Sequence, residues 1–125
     1  MLILVVEDDP TFRDVVCAML EESGYQVLTA ADVLSAVALL ATLPASPDLI
    51  LLDLQMPQLN GGDLHTALAR DPAFAHVPIV VLTGLDPQSA RALVPEGTPI
   101  LHKPIALDDL LAAVAQVGES REAGA

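Results

Sequence analysis

Short apolar runs alternate along the chain with longer segments whose apolar residues recur at helical spacing. The runs over 2–6, 49–52 and 79–82 are continuously apolar and contain many β-branched residues. This composition is typical of strands buried on both faces of a parallel sheet. Two weaker runs, at 26–30 and 100–102, complete a predicted set of five strands.

A helical segment follows each predicted strand. Asp9-Pro10 and Asp32 supply helix-capping residues, and Gly24 follows the last apolar position of the first helix. Four of the predicted helices cover about 10–23, 32–43, 87–94 and 107–117, and another follows the loop with Pro57 and Asn60-Gly61-Gly62 and ends near residue 71. Alternation of strands and helices indicates an α/β fold, with a parallel sheet covered by helices on both faces. We predict one domain over 1–118 and a flexible polar tail over 119–125.

Composition narrows the classes of function. The formal charge is −12, from 17 acidic and 5 basic residues. Such a chain repels nucleic acid and anionic membranes, so we expect no direct binding to either. Cys17 is the only cysteine, which excludes an internal disulfide and favours a reducing, cytoplasmic setting. The apolar start lacks a basic segment and meets acidic residues at once, so it predicts neither a signal peptide nor a membrane span.

Polar side chains gather where the strands end. In parallel α/β sheets, ligands bind beyond the carboxyl ends of the strands. The residues found there are Glu7-Asp8-Asp9, Asp53, Thr83 and Lys103. Each has an ordinary explanation when taken alone; Asp9 in particular is expected to cap a helix. Together the carboxylates would repel one another, and a hard cation such as Mg²⁺, which prefers oxygen ligands, explains their crowding. Lys103, the only lysine in the chain, falls at the same edge.

Four ordered motifs resemble those of response-regulator receiver domains. They are Ile3-Leu4-Val5-Val6-Glu7-Asp8-Asp9-Pro10, the segment 48–61 with Asp53 followed by Met56-Pro57 and Gly61, the segment 78–84 with Thr83-Gly84, and Lys103-Pro104. The resemblance runs from about residue 2 to residue 117. It implies a flavodoxin-like, doubly wound (βα)5 fold with the strand order 2-1-3-4-5.

The resemblance also implies a function. Asp53 would be the phosphoacceptor, receiving a phosphoryl group from a phosphohistidine on a histidine kinase or a histidine phosphotransfer protein. Thr83 and Lys103 would contact the phosphoryl oxygens. The protein would then act as a switch or relay in two-component signalling, through an output domain or a target protein, and not as an enzyme with a free substrate.

A magnesium site is part of the same resemblance. Asp8 and Asp53 would be direct ligands of Mg²⁺, and Glu7 would act mainly through water. The backbone carbonyl of Gln55 would be the remaining protein contact. These assignments agree with the oxygen-only chemistry that the crowded carboxylates favour.

One position departs from the family pattern. Receiver domains commonly carry Tyr or Phe three residues before the lysine, and this chain has Ile100 there. We therefore predict a readout that does not depend on an aromatic rotamer. Movement of Thr83 would instead displace the loop 83–86 and the short helix over 87–94.

Two alternatives remain at this stage. One is a pseudo-receiver, in which the same fold serves only as a protein-interaction module. The other is a flavin-binding protein or a small phosphatase on a similar sheet. A flavodoxin would place a phosphate-binding Ser/Thr/Gly loop after the first strand, where this chain has Glu7-Asp8-Asp9. Phosphatases of the haloacid-dehalogenase type would have an Asp-x-Asp motif there, and Pro10 occupies its second acidic position.

Overall fold

Strands and helices alternate through most of the protein. A computed structural model describes residues 1–54, 70, 76–94 and 97–124. The elements of the described residues are β1 (Leu2–Val6), α1 (Pro10–Glu22), β2 (Gln26–Ala30), α2 (Val33–Thr42), β3 (Leu49–Asp53), β4 (Ile79–Thr83), α3 (Pro87–Leu93), β5 (Ile100–His102) and α4 (Leu107–Gly124).

The five strands form one parallel sheet in the order β2-β1-β3-β4-β5. This order confirms the flavodoxin-like arrangement that the sequence motifs implied. β1 and β3 are central and pair in a register that places Val6 opposite Leu52, while Val6 also lies opposite Ala30 of β2. The carboxyl ends of β1 and β3 therefore lie side by side, and the residues that follow Val6 and Leu52 are neighbours.

The sheet separates two layers of core packing. Because side chains alternate across a strand, Ile3 and Val5 of β1 face one layer and Leu4 and Val6 face the other. The first layer is closed by α1 and α4. Its buried members include Val16, Leu20, Leu49, Leu51, Val80, Leu82, Leu110 and Val114. The second layer is closed by α2 and α3, with buried members that include Ala36, Leu40, Ile50, Leu52, Val81 and Ala90.

Aspartates fix the starts of three helices. The Asp9 carboxylate accepts hydrogen bonds from the first turn of α1, as the sequence predicted. Asp32 caps α2 by accepting a hydrogen bond from the backbone N–H of Ser35, which lowers the pKa of Asp32. Asp86 caps α3, and its bonds from the hydroxyl and backbone N–H of Ser89 lower its pKa in the same way. These bonds satisfy donors that a helix start leaves unpaired.

The sequence located the described strands and helices to within about two residues, with one exception. The last helix was expected to end near Val117, and this is wrong, because α4 continues to Gly124. The segment from Gly118 onward is polar and small, which favoured a flexible tail, but a glycine costs a helix interior only about 1 kcal/mol, and good helix formers follow it. The helix predicted to end near residue 71 lies outside the described residues, apart from residue 70. The domain boundary at residue 118 stays a prediction.

None of the described helices combines the length and the apolar character that crossing a bilayer requires.

The layered core predicts unequal effects for two leucines. Leu51 is fully buried in β3, whereas Leu34 of α2 is 63% exposed. We expect Leu51→Ala to lower the free energy of unfolding by about 2–5 kcal/mol, because it removes apolar contacts and leaves a cavity. Leu34→Ala is the matched control and should change stability little. Urea denaturation of the two variants measures the difference, and equal losses would contradict the assignment of Leu51 to the core.

Candidate functional site

The register of β1 and β3 brings two carboxylates to one face of the sheet. Glu7 directly follows Val6, and Asp53 directly follows Leu52, which lies opposite Val6. The alternation that points Ile3 and Val5 toward α1 and α4 continues to Glu7, and the alternation of Leu49 and Leu51 continues to Asp53. Both acidic side chains are thus on the α1–α4 side, at the carboxyl edge.

Three carboxylates converge at this edge. Ligand oxygens of Glu7, Asp8 and Asp53 all lie within 4.8 Å of one another. Glu7 is 0% exposed and Asp53 is 1% exposed, while Asp8 is open to solvent. Two oxygens bound directly to one Mg²⁺ lie at most about 4.2 Å apart, given its short octahedral bonds. The separations within the cluster are therefore in the range that a divalent cation bound by carboxylates requires.

Lys103 contacts two of these acids, Glu7 and Asp53. Its Nζ lies 2.9 Å from Oε2 of Glu7 and 3.8 Å from Oδ2 of Asp53. The end of β5 places it, because Leu101 faces the α1–α4 layer and Lys103 has the same parity. A hydrogen bond from the backbone N–H of Lys103 to the Thr83 carbonyl, at 2.7 Å, holds the two strand ends together.

Every polar group of Glu7 described here is engaged. Its backbone N–H donates to the Ala30 carbonyl, and its own carbonyl accepts from Nη1 of Arg13 at 3.0 Å. The side-chain oxygens accept from the backbone N–H of Asp9 and from Nζ of Lys103. A buried carboxylate is costly unless it is paired and hydrogen-bonded, so these contacts explain how the fold tolerates Glu7 in its interior.

Sequence reasoning missed two residues beside this cluster. Arg13 reaches back from α1 to the Glu7 carbonyl. The ring of Phe12 lies under the Lys103 ammonium, with Nζ 4.5 Å from the ring centroid. Phe12 is one of the apolar residues at helical spacing in the predicted first helix, and that spacing indicates packing against the sheet without indicating a contact with Lys103. The position of both residues could have indicated their place near the site, because the first turn of α1 directly follows the acidic segment.

Thr83 approaches the same edge from the other side of the sheet. It alternates with Leu82, which faces the α1–α4 layer, and so shares the orientation of Val81, which packs against α3. Thr83 is fully buried, and its Oγ1 accepts a hydrogen bond from the backbone N–H of Leu85 at 3.0 Å. The hydroxyl is thus tied to the loop that leads into α3. Gln55, the remaining predicted metal contact, lies outside the described residues.

The whole chain is similar to known signalling proteins. A family model described as the response regulator receiver domain matches residues 3–115. The chain is 35% identical over 114 residues to the DNA-binding dual master transcriptional regulator RpaA of Synechocystis, covering 90% of this chain and 46% of that protein. It is 36% identical over 89 residues to protein PilH of Pseudomonas aeruginosa, covering 71% of this chain and 72% of PilH. The chain spans about half the length of RpaA and of several other curated relatives it matches.

Solved structures agree with this similarity. The receiver domain of a signal transduction histidine kinase from Syntrophus aciditrophicus superimposes with a TM-score of 0.83 at 33% identity, covering 93% of this chain and 88% of that one. A receiver domain protein from Clostridium thermocellum gives a TM-score of 0.87 at 25% identity, covering 99% and 98%. The matched sequence, the sheet order and the acidic edge with its lysine lead to one conclusion: this chain belongs to the response regulator receiver domains, which act in two-component signalling.

Proposed function

We propose that the protein is a phosphoacceptor whose Asp53 receives a phosphoryl group from a phosphohistidine on a histidine kinase or a histidine phosphotransfer protein. The observation that carries this proposal is the position of Asp53. It is buried at the carboxyl end of a central strand, with two more carboxylates within 4.8 Å and the Lys103 ammonium 3.8 Å away. Packing alone calls for no such concentration of charge.

The carboxylate cluster fits Mg²⁺. Glu7, Asp8 and Asp53 would hold the ion, joined by the Gln55 carbonyl that family resemblance implies. When bound, Mg²⁺ supplies positive charge that offsets the charge on the phosphoryl oxygens and keeps those oxygens oriented. The described donors are all oxygens, as this hard cation requires.

Asp53 supplies the nucleophile. One of its carboxylate oxygens forms a bond to phosphorus, the P–N bond of the phosphohistidine breaks, and the bonding electron pair remains on the departing imidazole. Because phosphoryl transfer depends mainly on positioning and on offsetting charge, the rigid end of β3 is a suitable platform. Lys103 is close enough to Asp53 to meet the incoming phosphoryl oxygens with its ammonium.

Thr83 links the site to the rest of the fold in this proposal. Its hydroxyl would turn from the Leu85 N–H to a phosphoryl oxygen, which would release the loop that precedes α3. Asp86, which caps α3, lies in the same loop. Ile100 offers no polar tip for an aromatic-type rotamer change, so displacement of the loop and α3 remains the predicted readout.

The wider setting is proposed from the relatives and the chemistry. RpaA is described as a DNA-binding transcriptional regulator, and we propose that the output of this domain likewise depends on a further segment or a target protein. A cytoplasmic setting agrees with the thiol of Cys17. Burial raises the pKa of that thiol, and the nearby carboxylates of Glu21 and Asp14 raise it further, so the unreactive protonated form is favoured.

The Glu7–Lys103 pair predicts strong coupling between the two side chains. Lys103→Met leaves the buried Glu7 carboxylate without its cation and should cost roughly 1–3 kcal/mol of stability. Glu7→Gln removes the charge that needs this partner, so the double variant should lose less than the sum of the single losses. Urea denaturation in EDTA measures the cycle. Additivity to within about 0.5 kcal/mol would show that the contact contributes nothing.

Mg²⁺ should stabilise the fold through the carboxylate cluster. A ligand that binds only the folded state adds roughly 2.7 kcal/mol at one hundred times its Kd. We expect the melting temperature of the wild type to rise with millimolar Mg²⁺ and that of Asp8→Asn to rise much less. Asp109→Asn, an exposed acid of α4, is the matched control and should respond like the wild type. An equal response of Asp8→Asn would remove Asp8 from the site.

Asp53 should be the residue that is phosphorylated. After treatment with acetyl phosphate and Mg²⁺, rapid intact mass spectrometry should show one added phosphoryl group on the wild type and on Asp109→Asn. Asp53→Asn should show none, because an amide is not a carboxylate nucleophile. Site-localised labelling that persists on Asp53→Asn would refute the assignment. A wild type that binds Mg²⁺ without accepting a phosphoryl group from acetyl phosphate or from a phosphohistidine donor would instead favour a pseudo-receiver.

A further inference from the structure

Among the described residues, three neighbours of two different kinds lie close to the Lys103 ammonium. Two are carboxylates, Glu7 at 2.9 Å and Asp53 at 3.8 Å. The third is the face of the Phe12 ring, 4.5 Å from Nζ to its centroid, a distance at which a cation is attracted to the aromatic π system. The lysine side chain is 24% exposed, so it borders solvent.

A divalent cation in the cluster would act on these neighbours unequally. Glu7 and Asp53 belong to the cluster that fits the cation, so an ion held there would compete with Lys103 for their oxygens and repel its ammonium. A lysine on a flexible four-carbon stem can respond by turning toward water. The attraction to Phe12 does not involve a metal ligand, so it persists when the carboxylates are taken.

Phe12 is anchored well enough to hold the Lys103 ammonium when a cation occupies the carboxylates. It lies in the first turn of α1, where its backbone N–H donates to the capping Asp9 carboxylate at 3.3 Å. The next residue, Arg13, donates to the Glu7 carbonyl at 3.0 Å and so ties this turn to the end of β1. These bonds fix the backbone of the turn, and the half-buried Phe12 side chain packs against the core layer of α1 and α4, so its anchoring does not depend on Lys103.

We propose, resting on the phosphoacceptor function above, that Phe12 is a positioning residue that keeps Lys103 beside Asp53 when a divalent cation occupies the carboxylates. The ring acts through the lysine and does not touch the phosphoryl group. Without it, the ammonium would be displaced toward solvent by the very ion that the reaction needs.

The first test follows Lys103 directly. Because it is the only lysine in the chain, protein grown with lysine labelled with carbon-13 at Cε gives a single ε signal in an NMR spectrum. The aromatic ring below should shift its protons upfield. We expect the wild type to keep this shift when saturating Mg²⁺ replaces EDTA. A signal that moves to the position of free lysine on adding Mg²⁺ would overturn the proposal, and this measurement needs no variant that must fold.

The second test compares variants at position 12. Phe12→Leu removes the ring and keeps an apolar side chain, Phe12→Tyr keeps the ring, and Val15→Ala alters an exposed position of the same helix. In saturating Mg²⁺, acylation of the lysine amine by an activated ester should be several times faster in Phe12→Leu than in the other two. Equal acylation rates in all three variants would show that Phe12 serves packing alone and would overturn the proposal.

The third test uses the reaction. At saturating Mg²⁺, the rate constant for phosphorylation by acetyl phosphate should fall roughly twofold to thirtyfold in Phe12→Leu, the range that a cation–π contact corresponds to. Phe12→Tyr should have the wild-type rate constant, and the Kd for Mg²⁺ should not rise in either variant. A normal rate in Phe12→Leu, or a loss explained by weaker Mg²⁺ binding, would contradict the role. If the phosphoacceptor function itself is wrong, the wild type will not be labelled. The NMR and acylation measurements would then still show whether Phe12 holds Lys103 in place when Mg²⁺ is bound.

Discussion

The parallel register between β1 and β3 is the constraint on which the site depends. With Val6 opposite Leu52, the next residues of the two strands are carboxylates that share a face and an edge. A slip of one residue would turn one of these side chains to the other face of the sheet. The apolar runs that specify the register, residues 3–6 and 49–52, are fully buried. Core packing thus fixes the spacing of charged groups that contribute nothing to the core themselves.

Charge at the site is balanced by few but specific contacts. A chain with a formal charge of −12 adds to its own repulsion by gathering three acids at one edge. One lysine, one backbone N–H and an arginine that binds a main-chain carbonyl hold Glu7 in place. Pairing of this kind offsets the desolvation of a buried carboxylate without making the arrangement a source of stability.

Most of the fold was predictable because its strongest signals are local. Continuous apolar runs mark buried parallel strands, and aspartates before helices mark caps, so the described elements were found nearly to the residue. The acids and the lysine were also predictable, since strand ends meet at one edge. The contacts of Phe12 and Arg13 were not, because helical spacing shows that a residue faces the sheet without showing which side chain of a distant strand lies above it. The end of α4 was misjudged because a single glycine is a weak terminator.

The five-stranded sheet also keeps the two layers of core side chains from contacting each other directly. The buried side chains of the two layers touch different faces of it, so packing changes in one layer reach the other only through the backbone or around the ends of the strands. Glu7, Asp53 and Lys103 lie on the side of α1 and α4, whereas Thr83 lies on the side of α3. At the carboxyl edge, side chains from both sides of the sheet come close together, whereas elsewhere the sheet keeps the two layers apart. A chemical change there acts on both sides of the molecule at once, which no substitution deep within either layer can do directly.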